Sequence, residues 1–292
     1  AKEFHNQLTS QLQELIIKEE SELGYVEHVR SAYVPGVPVR PDYQQNIILA
    51  VLLGLGFGIG LVFLRDSLSS ELHTPEELQG KGYSVAGVIP EMDREIKKLF
   101  DGKEAVEANG RQVSTRLMPL LKPWSAISEN YRLARTNLEY AGTGAPPQAI
   151  LVTSPESGEG KTLTSVNLAI TMAQNGKRTI LVDGDLRRPS VHRQLDLDRH
   201  PGLADLLSGD LEEVSSIGLV SQVEGLDVLP AGQTDQPPAE LLGSQRMKKL
   251  MAELRRHYEV IIIDSPPVMA VSDPVVLAQL ADTTLLVVSA DQ

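Results

Sequence analysis

The sequence contains no cysteine. That excludes a disulfide framework, a thiol nucleophile and a thiolate metal site. Its six histidines show no metal-ligand spacing. Basic residues are outnumbered by acidic ones, 27 against 39, for a formal net charge of −12. A dedicated nucleic-acid binder would show a basic face, so no nucleic-acid partner is expected. Nor does Ala1–Glu22, polar and amphipathic, read as a cleavable leader. What is present is 41% hydrophobic residues over 292 positions, enough for one large domain or two ordinary ones and too much for global disorder. The chain starts at Ala1 and ends four residues after the apolar run Leu285-Leu286-Val287-Val288. It is expected to be a piece of a longer protein.

Phe4, Leu8, Leu12, Leu15 and Leu23 fall on one side of a helix that Gly24 would stop. One arm of a coiled coil or helical hairpin fits this pattern, and so does an amphipathic helix packed on its own domain. Pro35, Pro38 and Pro41 then fix φ and remove donors, so Val34–Pro41 reads as an extended linker. Asn46–Leu64 carries no charge over 19 residues. As a helix it would be roughly 28 Å long, close to the ~30 Å hydrocarbon core of a bilayer. Gly54, Gly56, Gly58 and Gly60 would weaken a helix in water, by about 1 kcal/mol each. In lipid, Gly54 and Gly58 form a G-x-x-x-G pair that permits close helix packing. A transmembrane helix is expected; the competing reading is a buried core helix. Flanking charge does not orient the span, with Arg40 before it and Arg65 and Lys81 after.

Thr74-Pro75-Glu76-Glu77 reads as a capping box with proline at the first helical position, opening a short helix that ends near Gly80 or Gly82. Val85–Ile89 reads as a strand or extended segment, and the mixed charged stretch Glu91–Lys122 as an exposed connector. From Pro123 the pattern alternates between strand and helix, which implies a parallel sheet with helices on both faces. The expected strands are Ala149–Thr153, Thr179–Val182, Leu226–Leu229, Val260–Ile263 and Thr284–Val288, with a helix at Lys161–Gln174 stopped by Gly176.

Between the first of these strands and that helix lies Ser154-Pro155-Glu156-Ser157-Gly158-Glu159-Gly160-Lys161-Thr162. Such a loop cradles phosphates. Residues Ser157, Gly158, Glu159 and Gly160 supply backbone N–H groups, Lys161 reaches the β/γ-phosphates, Thr162 offers its hydroxyl to Mg²⁺, and the helix N-terminus adds a positive dipole. The strict pattern has glycine where this chain has Pro155. Asp183 and Asp185 lie just past one strand and Asp264 past another. In a parallel sheet these strand ends open on the same crevice as the loop. An acid there can hold Mg²⁺ or its waters, or accept a proton from an attacking hydroxyl.

These segments resemble the bacterial tyrosine kinases (BY-kinases) of capsule and exopolysaccharide assembly. The resemblance is carried by Ser157-Gly158-Glu159-Gly160-Lys161-Thr162, by Val182-Asp183-Gly184-Asp185-Leu186-Arg187-Arg188-Pro189, by Leu229-Pro230-Ala231-Gly232 with Pro238-Ala239-Glu240-Leu241-Leu242, and by Ile263-Asp264-Ser265-Pro266-Pro267. The polysaccharide co-polymerase part of such proteins is similar around the proline-rich linker, the glycine-rich span and Thr74–Pro90 with its ending Gly87-Val88-Ile89-Pro90.

The resemblance implies an α/β, P-loop NTPase-like fold behind a transmembrane helix and an N-terminal amphipathic helix. It divides the chain into an extracytoplasmic helix and linker (1–45), a span (46–64), a cytoplasmic connector (65–122) and a kinase domain (123–292) truncated at its C-terminus. The implied reaction moves a phosphoryl group from ATP·Mg²⁺ to tyrosine. Lys161 would stabilise the phosphates, Thr162 ligate Mg²⁺, Asp183 act as base, and Asp185 and Asp264 hold the metal directly or through water. Glu129, Arg132 and Arg135 match an E-x-x-R-x-x-R element that docks on a neighbouring subunit and closes an octameric ring; on spacing alone the three read as a solvated ion-pair ladder.

Implied partners are further copies of the chain, the polysaccharide polymerase and export machinery, a tyrosine phosphatase and the bilayer of the bacterial inner membrane. The family's tyrosine-rich acceptor tail is not found before Gln292, and Tyr258 reads as structural. Two alternatives are an ATP-binding co-polymerase that regulates chain length with little kinase activity, and a membrane ATPase of MinD/ParA type. The latter carries a signature lysine where this chain has Glu156.

Overall fold

The computed structural model describes residues 2–22, 36, 41–68, 75–108, 110–140, 144–209 and 223–290. Leu23, Gly24, most of the proline-rich linker and Thr74 lie outside the described residues. The chain divides into two compact units, Ala1–Ser70 and Glu71–Gln292.

The first unit holds two helices, α1 (Lys2–Glu22) and α2 (Tyr43–Leu68). Along α1 the apolar stripe of Phe4, Leu8, Leu12 and Leu15 is exposed. A window of α2, Tyr43–Leu64, is long and apolar enough to cross a membrane, and none of it is buried. The core-helix reading of this segment therefore fails among the described residues, because Ile47, Leu52, Phe57 and Phe63 all face outward.

The second unit starts with α3 (Pro75–Gly80). Residues 83–90 follow without joining a sheet. They lie against α6 (Ala126–Tyr140): Asn137 Nδ2 donates to the Ala86 carbonyl at 2.8 Å, and a Cβ on Gly87 would sit 3.0 Å from Ala134 Cβ. The expected exposed connector is instead folded. It forms α4 (Asp93–Phe100), a hairpin of β1 (Ala105–Ala108) and β2 (Arg111–Ser114), and α5 (Met118–Leu121). The reason is apolar burial at a few points. Met92, Ile96 and Met118 pack with Ile127 and Tyr131 of α6, while Val113 and Leu117 enter the main core.

That core surrounds a five-stranded parallel sheet made of β3 (Ala149–Thr153), β4 (Thr179–Asp183), β5 (Leu226–Leu229), β6 (Val260–Asp264) and β7 (Thr283–Leu286), in the order β5-β4-β6-β3-β7. Every residue of β3, β4 and β6 is buried. These strands are uniformly apolar because both faces are covered. Alternate residues point to opposite layers. Ile150, Val152, Leu181 and Ile262 pack under α7 (Lys161–Gln174). Leu151, Ile180, Val182, Ile261 and Ile263 pack against α9 (Leu203–Ser208) and α11 (Gln245–His257) on the other face. Between these come the short helices α8 (Val191–Gln194) and α10 (Pro238–Leu242), and between β6 and β7 comes α12 (Asp273–Ala278).

A candidate nucleotide site at the sheet rim

Register places the site. β6 lies between β3 and β4, with Val152 opposite Asp264 on one side and Asp183 opposite Asp264 on the other. The loop after β3 and the acids at the end of β4 therefore meet over the end of β6. Within the loop, Gly158 (φ +99°) and Gly160 (φ +85°) hold a left-handed backbone that side chains disfavour. Gly160 caps α7, which starts at Lys161 as the spacing predicts. Glu159 folds back, its carboxylate accepting the Glu156 N–H at 2.9 Å.

Lys161, Thr162, Asp183, Asp185 and Asp264 converge as the sequence predicts. Lys161 Nζ stands 3.3 Å from Asp185 Oδ2. Thr162 Oγ1 donates to Asp264 Oδ2 at 2.7 Å. Asp183 accepts N–H groups from Val191 at 3.2 Å and Asp185 at 3.3 Å, and Asp185 Oδ1 accepts that of Arg188 at 2.9 Å. All three acids are buried, with Asp183 and Asp264 at 0% exposure. Burial, reinforced by Asp264, drives the Asp183 carboxyl well above the usual range. Burial also raises Asp264 to about 6, against the pull of Lys161, Thr162 and Ser165.

Three buried carboxylates against one ammonium leave the site short of positive charge. That deficit, beside a hydroxyl and a loop of backbone donors, fits a metal ion carried with phosphates. Among the described residues no three His, Cys, Asp or Glu side chains form a cage for an ion by themselves. Magnesium bound with nucleotide needs none, since phosphate oxygens and water complete its shell.

Sequence reasoning missed several contributors. Ser165 Oγ donates to Asp264 Oδ1 at 2.9 Å. Its position one helical turn after Lys161 was a usable signal. Ser190 Oγ donates to Thr162 Oγ1 at 3.1 Å, with no sequence signal. Gly184 permits contact between the two acid turns: its N–H reaches the Asp264 carbonyl at 2.8 Å, and a Cβ there would meet that same oxygen at 2.8 Å.

The three α6 residues do not share one free face. Arg132 pairs with Glu129 at 3.0 Å, as the ladder reading has it, and its guanidinium also lies 5.7 Å from the ring centre of exposed Trp124. Arg135 instead turns toward α7, donating to the Thr171 carbonyl at 3.0 Å. It can do so because α6 packs directly on α7. Tyr258 donates its hydroxyl to Asp227 of β5 at 2.8 Å, and burial raises its pKa, as suits a structural residue.

A phosphate loop after a buried strand, with acids at the ends of two parallel neighbours, defines a P-loop nucleotide-binding domain. Comparison with known proteins narrows the class. A model for an AAA domain matches residues 148–292, and one for a G-rich domain on putative tyrosine kinase matches residues 1–67. The putative tyrosine-protein kinase EpsB of Ralstonia nicotianae is 34% identical over 281 residues, 96% of this chain and 36% of that protein. The chimerical protein CapA2B2 superposes with a TM-score of 0.62 at 30% identity, covering 73% of this chain and 84% of that one. The kinase domain of the Escherichia coli tyrosine kinase ETK gives a TM-score of 0.63 at 29% identity, covering 74% and 82%. The chain belongs to the bacterial tyrosine kinase family. It spans just over a third of the length of the curated relatives it matches, 36% of EpsB and 39% of the E. coli protein.

Proposed function

We propose that this chain is part of a membrane-anchored protein-tyrosine kinase that uses ATP·Mg²⁺ to phosphorylate copies of itself and so regulates capsule or exopolysaccharide polymerisation and export. The supporting observation is the convergence of Lys161, Thr162 and the three buried acids at one rim. Residues 157–160 cradle the phosphates and Lys161 neutralises charge on the group in transit. Thr162 would ligate the metal, with Asp264 and Asp185 holding it directly or through water. Asp183 takes the tyrosine proton. Its raised pKa suits a base, but the Val191 and Asp185 N–H groups cover its oxygens, so segment 185–191 must shift when substrate arrives.

The α2 window crosses the inner membrane, and the P-loop unit, which consumes ATP, lies in the cytoplasm. Glu129 and Arg132 lie on a docking face of an octameric ring, with Trp124 beside it, and Arg135 joins that face on leaving the Thr171 carbonyl. The export machinery and a phosphatase act on the assembled protein. The decisive experiment is Lys161→Met, expected to abolish phosphotyrosine on the protein while membrane insertion is unchanged. Undiminished phosphotyrosine in that variant would refute the assignment.

A further inference from the structure

The β4 acid turn is fastened to the rest of the site from below. Arg187, two residues after Asp185, makes a forked contact with Asp273 at the start of α12: Nε donates to Oδ2 at 2.8 Å and Nη2 to Oδ1 at 3.1 Å. Asp273 is completely buried, whereas the Arg187 side chain is 42% exposed. A buried carboxylate needs such a partner, and the planar guanidinium fork fixes direction as well as charge. The same helix touches the turn a second time, since Leu277 Cδ1 would lie 3.1 Å from a Cβ on Gly184. Gly184 in turn donates to the Asp264 carbonyl. The β4 turn is thus tied to α12 by Arg187 and to β6 by Gly184. Asp185, lying between the two ties, is the acid that reaches Lys161.

We infer that Arg187 and Asp273 form a positioning clamp that sets Asp185 against Lys161 for metal binding. Neither residue touches the reacting atoms. Both act by fixing where the Asp183–Asp185 turn stops. The metal role of Asp185 rests on the function proposed above, so the test measures binding apart from phosphoryl transfer.

The probe is a fluorescent ADP analogue, with free Mg²⁺ titrated against the detergent-solubilised chain. Arg187→Ala and Asp273→Asn should each raise the Mg²⁺ needed for half-saturation, and lower kcat, by about 10- to 100-fold. Affinity for the analogue without metal should stay within about threefold, because the loop that holds the phosphates is untouched. The double variant should fall no further than the worse single one, as expected for one shared contact. Arg187→Lys keeps the charge but loses the fork and should recover only part of the loss. If Arg187→Ala does not fold, Arg187→Gln, which leaves Asp273 an N–H partner, takes its place.

An unchanged Mg²⁺ requirement in folded variants overturns the clamp. So does a matching fall in metal-free affinity, melting temperature and kcat, which would mark a fold defect. If the wild-type chain binds Mg²⁺ and the analogue yet transfers no phosphoryl group from ATP to an added tyrosine-containing peptide, the kinase proposal fails while the clamp can still be measured.

Discussion

The two units handle apolar surface in opposite ways. In α2, Ile47, Leu52, Phe57 and Phe63 all point outward, whereas β3, β4 and β6 leave no residue exposed. The first arrangement needs an apolar phase from elsewhere. The second provides its own by covering both faces of a sheet, and it can then afford acids at the rim. Burying Ile261, Ile262 and Ile263 contributes about 1.5–3 kcal/mol each. The teaching is that charge can be placed where the surroundings are stiff and self-sufficient, and is absent where the helix depends on its surroundings.

The contrast can be broken from either side. The largest effect is expected for Gly58→Arg in α2. It should disfavour insertion by about 2.5–3.5 kcal/mol, seen as loss from the membrane fraction, while nucleotide binding by the P-loop unit stays intact. Loss of both together would show that the units are not independent.

Next comes Asp264→Asn. The folded-state pKa of Asp264 is raised to about 6, so its charge disfavours the fold. The folded chain then holds a proton that the unfolded chain releases, and stability from this group falls as pH rises from about 4 to about 6, by roughly 3 kcal/mol at most. Asn removes that loss. The melting temperature without nucleotide should exceed wild type at pH 8 and not at pH 4, while the stabilisation given by Mg²⁺ with nucleotide should disappear. A lower melting temperature at pH 8 would mean that the bonds from Thr162 and Ser165 outweigh the charge.

Gly184→Ala should cost about 1–3 kcal/mol, since its Cβ would strike the Asp264 carbonyl, and should weaken nucleotide binding with it. A thermal melt with and without Mg²⁺ and nucleotide reads both. The smallest effect on the fold is expected for Arg132→Ala, whose pair with exposed Glu129 is worth at most about 0.5 kcal/mol. Any fall in assembly size on light scattering would then report a contact with a neighbouring subunit. An unchanged mass would count against Arg132 in the ring.

Much of the sheet was legible because its signals are local. Each strand was expected within a residue or two of its observed bounds, and α7 matches at both ends, because buried parallel strands are continuous β-branched runs and a G-x-G-K-T loop announces the helix. Segment 91–122 misled for the converse reason. In α4, Asp-Arg-Glu-Ile-Lys-Lys-Leu-Phe alternates charges around the one residue it buries, Ile96, and four-residue strands show almost no period. At the site, Lys161 and the three acids could be read because the acids lie at or just past the carboxyl ends of strands and the lysine closes the loop after one. Their supports could not: Arg187 and Asp273 are 86 positions apart, and only the crossing of α12 beneath the β4 turn brings them together. The bond from Arg135 to the Thr171 carbonyl was not legible, because helical spacing gives a residue's face but not the identity of its neighbour.

The strand order has a consequence for biosynthesis. β3 and β4 do not touch; β6 separates them, and it is made more than a hundred residues after β3 begins. A growing chain on the ribosome therefore carries two oily ribbons with unpaired facing edges until Val260–Asp264 emerges, and no anion cradle complete with its acids exists before then. The late arrival of one strand leaves these nascent edges open to pairing with neighbouring chains.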